Sequence, residues 1–199
     1  MRQTVPSDNS CLFTSVNYCI TGGELDHKVA PALRKIIADH VGKDETTYND
    51  GFLGRPNSEY CTWIMNEEHW GGAIELSVLS QYYEIEIVAV DTIHLRLNRF
   101  GEDKDYDQRI LLIYDGIHYD ALKYEPNDHR KPIMTLFLTS EERVLSLALQ
   151  LAREAKQSHQ FTDVQNFTLK CMDCGTRLTG QTEAQSHAQN TGHVNFGEI

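Results

Sequence analysis

The stretch Val5-Pro6-Ser7-Asp8-Asn9-Ser10-Cys11-Leu12-Phe13 decides how this 199-residue chain is read, because it sets a thiol where a turn becomes a helix. Asp8, Asn9 and Ser10 offer capping oxygens, and Leu12, Phe13, Val16, Cys19 and Ile20 then recur at helical spacing until Gly22-Gly23 stops the pattern. Cys11 therefore opens the helix, at the end where unpaired N–H groups and the dipole favour a negative charge. The matching motif is Asp115-Gly116-Ile117-His118-Tyr119-Asp120. It follows an apolar strand, Ile110 to Tyr114, and its Asp-Gly pair is a hairpin-turn signal. On the returning strand His118 and Asp120 share one face and Tyr119 takes the other. A thiol, an imidazole and a carboxylate are the components of a cysteine nucleophile, its base and the acid that orients the base. The bend from Pro6 to Ser10 is placed for backbone N–H groups to meet a developing oxyanion. Asp8 either shapes that bend by accepting from backbone N–H groups or assists the base.

Outward from these motifs the chain predicts a mixed α/β cysteine protease domain, a small central sheet flanked by helices. Pro31 starts a second helix with Leu33, Ile36 and Ile37 inward, and a third covers about Ser58 to Met65. Trp70-Gly71-Gly72 reads as a flexible hinge before a helix carrying Ile74, Leu76, Leu79 and Tyr83. Glu84 to Val90 alternates and then runs apolar, as a partly buried strand does, and Ile133 to Leu138 offers another. Thr139-Ser140-Glu141-Glu142 has the capping-box pattern and launches an amphipathic helix to about Gln157. The expected organisation is a catalytic domain over 1–158, a connector over 159–167 and a small module over 168–199.

Composition narrows the class. Forty per cent apolar and 24 per cent charged residues are ordinary for a globular protein, and no apolar run approaches the roughly 18 residues of a membrane span. The first residues lack a secretory apolar stretch, which predicts a cytoplasmic, or also nuclear, monomer with no membrane partner. A net charge of −11 disfavours binding to phosphate backbones and favours a basic partner. Five cysteines without a signal peptide point to thiol chemistry or metal ligation rather than disulfides. Cys19 and Cys61 read as small buried hydrophobes, and His27, His40, His69, His94, His129 and His159 as surface or packing residues.

Near the C-terminus, Cys171-x2-Cys174-x12-His187-x5-His193 has the spacing of a C2H2 site for Zn2+, with Leu178 and Ala184 at its two small-core positions. The base-reading positions of such a finger would be Gly180, Glu183 and Ser186, none of them a guanine-reading arginine. Its cations are Lys170 and Arg177, against Asp173, Glu183 and Glu198. A structural zinc and no nucleic-acid partner are expected.

Three blocks, Asp8-Asn9-Ser10-Cys11-Leu12-Phe13, Trp70-Gly71-Gly72-Ala73-Ile74-Glu75-Leu76 and Tyr114-Asp115-Gly116-Ile117-His118-Tyr119-Asp120, resemble the signature blocks of the ovarian-tumour (OTU) family of cysteine deubiquitinases. With the finger ending Thr191-Gly192-His193-Val194-Asn195-Phe196-Gly197, their order is similar to the yeast-type branch that acts beside the ubiquitin-selective AAA ATPase. The resemblance implies Cys11 as nucleophile, His118 as base, Asp8 as the Cys-loop aspartate and Asp120 as the acid behind the imidazole. It implies ubiquitin and polyubiquitin chains as substrates and a setting in ER-associated degradation. Trp70, Gly71, Gly72, Tyr114 and Ile117 would then bind the substrate's Gly-Gly tail, and no cofactor would serve catalysis. That branch carries an N-terminal UBX-like domain for the ATPase, whereas this sequence begins ten residues before Cys11. Either the chain is truncated or the ATPase is recruited otherwise. Two rival functions remain at this level: a noncatalytic ubiquitin-binding module and a nucleic-acid-binding finger protein.

Overall fold

A computed structural model describes residues 1–128, 130–158, 168–193 and 196–198. The elements run β1 (Arg2–Gln3), α1 (Cys11–Ile20), α2 (Ala30–Val41), α3 (Asp50–Leu53), α4 (Asn57–Ile64), α5 (Ala73–Tyr83), β2 (Glu86–Asp91), β3 (Arg96–Phe100), β4 (Gln108–Tyr114), β5 (Tyr119–Leu122), β6 (Phe137–Leu138) and α6 (Glu142–Gln157). A C-terminal group follows: β7 (Thr168–Cys171), β8 (Arg177–Thr179), α7 (Gly180–Thr191) and β9 (Phe196–Glu198). This is the expected mixed α/β architecture. The expected connector, 159–167, and two of the histidines, His129 and His159, lie outside the described residues.

The main sheet has the order β1-β5-β4-β2-β3, with β6 beside β4. β2 and β4 are parallel and the other pairs antiparallel. Both faces are covered, so the central strands are apolar at nearly every position. Ile87, Ala89, Ile110, Leu112 and Ala121 face a core built with α1, α2, α4 and α5. Val88, Val90, Leu111, Ile113 and Leu122 pack instead with Phe137 and with Leu145, Ala148 and Ala152 of α6. The strand expected over Glu84–Val90 is therefore buried along its whole observed length rather than on one side. β3 was not anticipated, because Arg96-Leu97-Asn98-Arg99-Phe100 is an edge strand with little apolar signal.

Two local expectations differ from the structure. Thr139 does not cap α6: its hydroxyl donates to the Tyr106 carbonyl and its N–H to that of Asp107, and the helix starts at Glu142 with no side-chain cap. The Trp70-Gly71-Gly72 hinge is held in place. The Gly72 N–H donates to Glu75 at 2.6 Å, and a Cβ on Gly71 would lie 3.0 Å from the Phe13 ring and 3.3 Å from Leu12.

Candidate active site

The site forms where α1, the turn after β4 and the segment before α5 meet. Cys11 is the first residue of α1, and Ser10 precedes it without a side-chain cap. Asp8 instead shapes the turn before the helix, its carboxylate accepting the Ser10 N–H at 2.8 Å. Of its two expected roles, Asp8 thus fills the loop-shaping one. Two of the loop's N–H groups are used internally: Asp8 donates to the Pro6 carbonyl at 3.0 Å and Cys11 to that of Asp8 at 3.4 Å. Of these two bonds the one from the Cys11 N–H is the longer and the more easily released.

His118 sits at the end of the turn, one residue before β5, because Asp115 accepts both the Ile117 N–H (3.3 Å) and the His118 N–H (2.9 Å). Gly116 within this turn has φ 112°, a left-handed conformation that a side chain would strain. The His118 Nε2 donates to Asp120 Oδ1 at 3.0 Å, and the ring lines the same cleft as the Cys11 thiol. With Nε2 on the carboxylate, Nδ1 is left for the sulfur. The bond to Asp120 first, and then the neighbouring Cys11 sulfur, push the imidazole up to about 10 despite burial. Asp120 is fully buried; burial opposes its charge, yet hydrogen bonds from His118, the Val5 N–H and Arg2 hold its carboxyl below the ordinary value. The early sulfur and the late imidazole, more than a hundred residues apart in sequence, thus face one cleft.

The cleft around Cys11 and His118 is also bordered by Asp8, Trp70, Gly71, Ile117 and Tyr119. Gly72 lines the adjoining depression with Trp70, Gly71 and Ile74. Tyr114 is placed differently from the other proposed tail-binding residues: it stacks on Tyr119 at 4.4 Å and its hydroxyl donates to the Gly116 carbonyl, so it braces the His118 turn. Cys19 is fully buried, and burial pushes its thiol up to about 12, as suits a packing residue. His69 stacks on Trp63 at 4.6 Å, also a packing role.

Sequence reasoning missed Arg34 and Asn9. Buried Arg34 donates to the carbonyls of Ile64 (3.0 Å), Asn9 (3.1 Å) and His69 (2.6 Å), tying the Cys11 loop to the segment that leads to Trp70. Asn9 in turn accepts the Trp70 indole N–H at 2.6 Å. A signal existed: Arg34 falls on the stripe Ala30, Ile37 and Val41 that α2 buries.

In the C-terminal group, β7 pairs with β8 and β9, and Leu169, Leu178 and Ala184 form a small core. Cys171, Cys174, His187 and His193 converge, their ligand atoms all within 4.8 Å of one another. Cys171 Sγ lies 3.7 Å from His193 Nδ1 and Cys174 Sγ 3.4 Å from His187 Nε2. A tetrahedral zinc with the usual bond lengths sets its ligands roughly 3.3–3.8 Å apart, so the four residues fit that ion.

Residues 6–124 match the family described as "OTU-like cysteine protease". A solved structure of an ovarian tumor (OTU) domain in complex with ubiquitin superposes with a TM-score of 0.69 at 32% identity, over 81% of this chain and 89% of that one. The chain belongs to the OTU-like cysteine protease family. Residues 165–199 match a second family, "Ubiquitin thioesterase OTU1, C-terminal C2H2-type zinc finger". Among curated relatives, the ubiquitin thioesterase OTU1 of Gallus gallus is 54% identical over 198 residues and that of Homo sapiens 52%, each match covering 100% of this chain. The chain spans 66% and 57% of those two OTU-family relatives.

Proposed function

We propose that this chain is a deubiquitinase that hydrolyses the isopeptide bond at the C-terminal glycine of ubiquitin. The observation that carries the proposal is the His118 ring, bonded to buried Asp120 and lining the same cleft as the Cys11 thiol. His118 takes the thiol proton, and Cys11 Sγ attacks the glycine carbonyl. The imidazolium then protonates the departing lysine amine, leaving a thioester on Cys11, and water deprotonated by His118 releases ubiquitin. The negative oxygen formed on the way is met by the Cys11 N–H, released from its 3.4 Å bond to Asp8.

The substrate class is supported by the crowded glycine position. A Gly-Gly tail is the one peptide end without side chains, and the depression beside Trp70, Gly71 and Gly72 adjoins the nucleophile. The names of the relatives and the ubiquitin-bound neighbour point the same way. Cys171, Cys174, His187 and His193 would hold a structural zinc ion, which joins strands and helix of the finger and takes no part in catalysis. The setting we infer, ER-associated degradation beside the AAA ATPase in cytosol or nucleus, rests on the family resemblance of the three blocks.

The test is a ubiquitin probe with a C-terminal electrophile, followed by a panel of di-ubiquitins of every linkage. Covalent capture at Cys11 and release of monoubiquitin are expected. Tight binding without capture or turnover would convert the protein into a ubiquitin-binding module.

A further inference from the structure

The N-terminal strand supplies the catalytic constellation with a cation. β1 pairs with β5, placing Arg2 opposite Leu122 and Gln3 opposite Ala121. From there Arg2 Nε donates to Asp120 Oδ2, while a second nitrogen of the same guanidinium lies 3.6 Å from Asp115 Oδ2. These carboxylates have separate tasks. Asp120 Oδ1 holds the His118 ring and accepts the Val5 N–H at 2.8 Å; Asp115 Oδ1 holds the His118 backbone. One planar fork therefore spans the group that orients the imidazole and the group that orients its main chain.

We propose that Arg2 is a positioning residue for catalysis, a clamp that fixes Asp115 and Asp120 and thereby sets the orientation and proton affinity of His118. The inference rests on the deubiquitinase reading for its substrate but not for its geometry. The charged and titratable groups around the imidazole are Cys11 from α1, Asp8 from the loop before it, Asp115 from the turn and Asp120 from β5. Tyr114 and Tyr119 stand beside the turn, and Arg2 supplies the positive charge. Without that cation, the Asp120 carboxyl would accept a proton more readily and the imidazolium would release one less readily. Both limbs of a pH profile would move upward.

The experiment uses the full chain with Arg2→Met and Arg2→Lys. Arg2 is partly exposed on a short edge strand, so both variants should keep the wild-type fold, which thermal melting verifies. The readouts are kcat and KM on a fluorogenic ubiquitin C-terminal amide, and the rate of iodoacetamide alkylation at Cys11, followed by peptide mass from pH 4 to 11. In Arg2→Met, kcat is expected to fall about tenfold with KM little changed. Both limbs should rise by about half a pH unit. Arg2→Lys should return the limbs to their wild-type positions with intermediate kcat, because it restores the charge without the fork. In an Asp120→Asn background, Arg2→Met should cost less than about twofold, since the clamp's main target is gone. Unmoved limbs in Arg2→Met, or an undiminished loss in the Asp120→Asn background, would overturn the proposal. Alkylation needs no ubiquitin, so shifted limbs in a chain that fails to cleave ubiquitin would retire the substrate and keep the clamp.

Discussion

Replacing Asp120 with asparagine is the perturbation that asks most of the site, because the side chain is fully buried and both of its oxygens are committed. Oδ1 accepts from the Val5 N–H at 2.8 Å and from His118 Nε2 at 3.0 Å, and Oδ2 accepts from Arg2. An amide that keeps its oxygen toward Val5 and His118 turns its NH2 toward the Arg2 guanidinium, setting donor against donor. Two bonds lose their charge assistance and the third is lost, which should cost about 2 kcal/mol at neutral pH. The pH dependence fixes the sign. The Asp120 carboxyl is lowered in the folded protein, so its contribution is present above the unfolded value of about 3.9 and fades as pH falls through the folded one. His118 is raised to about 10, so its contribution is full below the unfolded value of about 6.5 and is lost as pH rises through 10. Urea unfolding should therefore show wild type and Asp120→Asn well separated at pH 7 and converging below pH 4. Activity should fall about tenfold to a hundredfold, since the ring keeps one acceptor but loses the anion. The alkaline limb of kcat/KM should drop by roughly one to two units, because the bond to Asp120 is the largest support of the imidazolium. This shift is opposite in sign to the one expected for Arg2→Met. An alkaline limb that stays in place in Asp120→Asn would refute the assignment of Asp120 as the group that charges His118.

Other substitutions probe the remaining parts. Cys11→Ser should abolish cleavage while thermal stability and ubiquitin binding, read by titration calorimetry, stay close to wild type; residual turnover above background would remove Cys11 as nucleophile. Gly71→Ala places a Cβ 3.0 Å from the Phe13 ring, a buried group with little room to retreat, and overpacking of this kind costs about 1–3 kcal/mol, so a lower melting temperature and a higher KM are expected. Unchanged values in both assays would show that the glycine position is not confined. Stripping metal with a chelator should collapse the amide signals of residues 168–193 in an NMR spectrum yet spare hydrolysis of a ubiquitin C-terminal ester. Loss of hydrolysis in step with the finger would give the zinc module a catalytic task.

The features legible in the sequence were those in which a local pattern meets its tertiary purpose. Cys11 opens α1 because its apolar spacing and the polar turn before it agree, and that same position shares a cleft with His118. The strand Gln108–Tyr114 could be read because burial on both faces demands continuous apolar residues. The finger was legible because four ligands impose fixed spacing. What failed was local chemistry with a distant competitor. Thr139 has the sequence of a helix cap, but its hydroxyl and N–H are claimed by Tyr106 and Asp107, more than thirty residues upstream. Gly71 and Gly72 look like a free hinge until Glu75 and Phe13 are seen to occupy the space around them.

The site divides in the same way. Residues proposed for the chemistry carry their type openly: a thiol, an imidazole, an acid. Residues that hold them in place do so through backbone carbonyls and shared carboxylates, which leave no motif. Arg34 binds four carbonyls, from the Cys11 loop, the end of α4 and the segment after it, and Arg2 reaches two carboxylates from a strand of two residues. Each is a guanidinium on an element whose sequence neighbours give it no evident task, and each acts on a segment carrying a catalytic group. A buried arginine on an apolar helical stripe must find acceptors or remain uncompensated. In this fold the acceptors at hand are the turns that position Cys11 and Trp70. The cost of burying the charge is offset by fixing the loop whose geometry catalysis requires, which makes loop order and stability one quantity at Arg34. At Arg2, on the solvent edge, the two separate: the strand is held by its own backbone pairing, and the side chain is left to act on charge and orientation at His118.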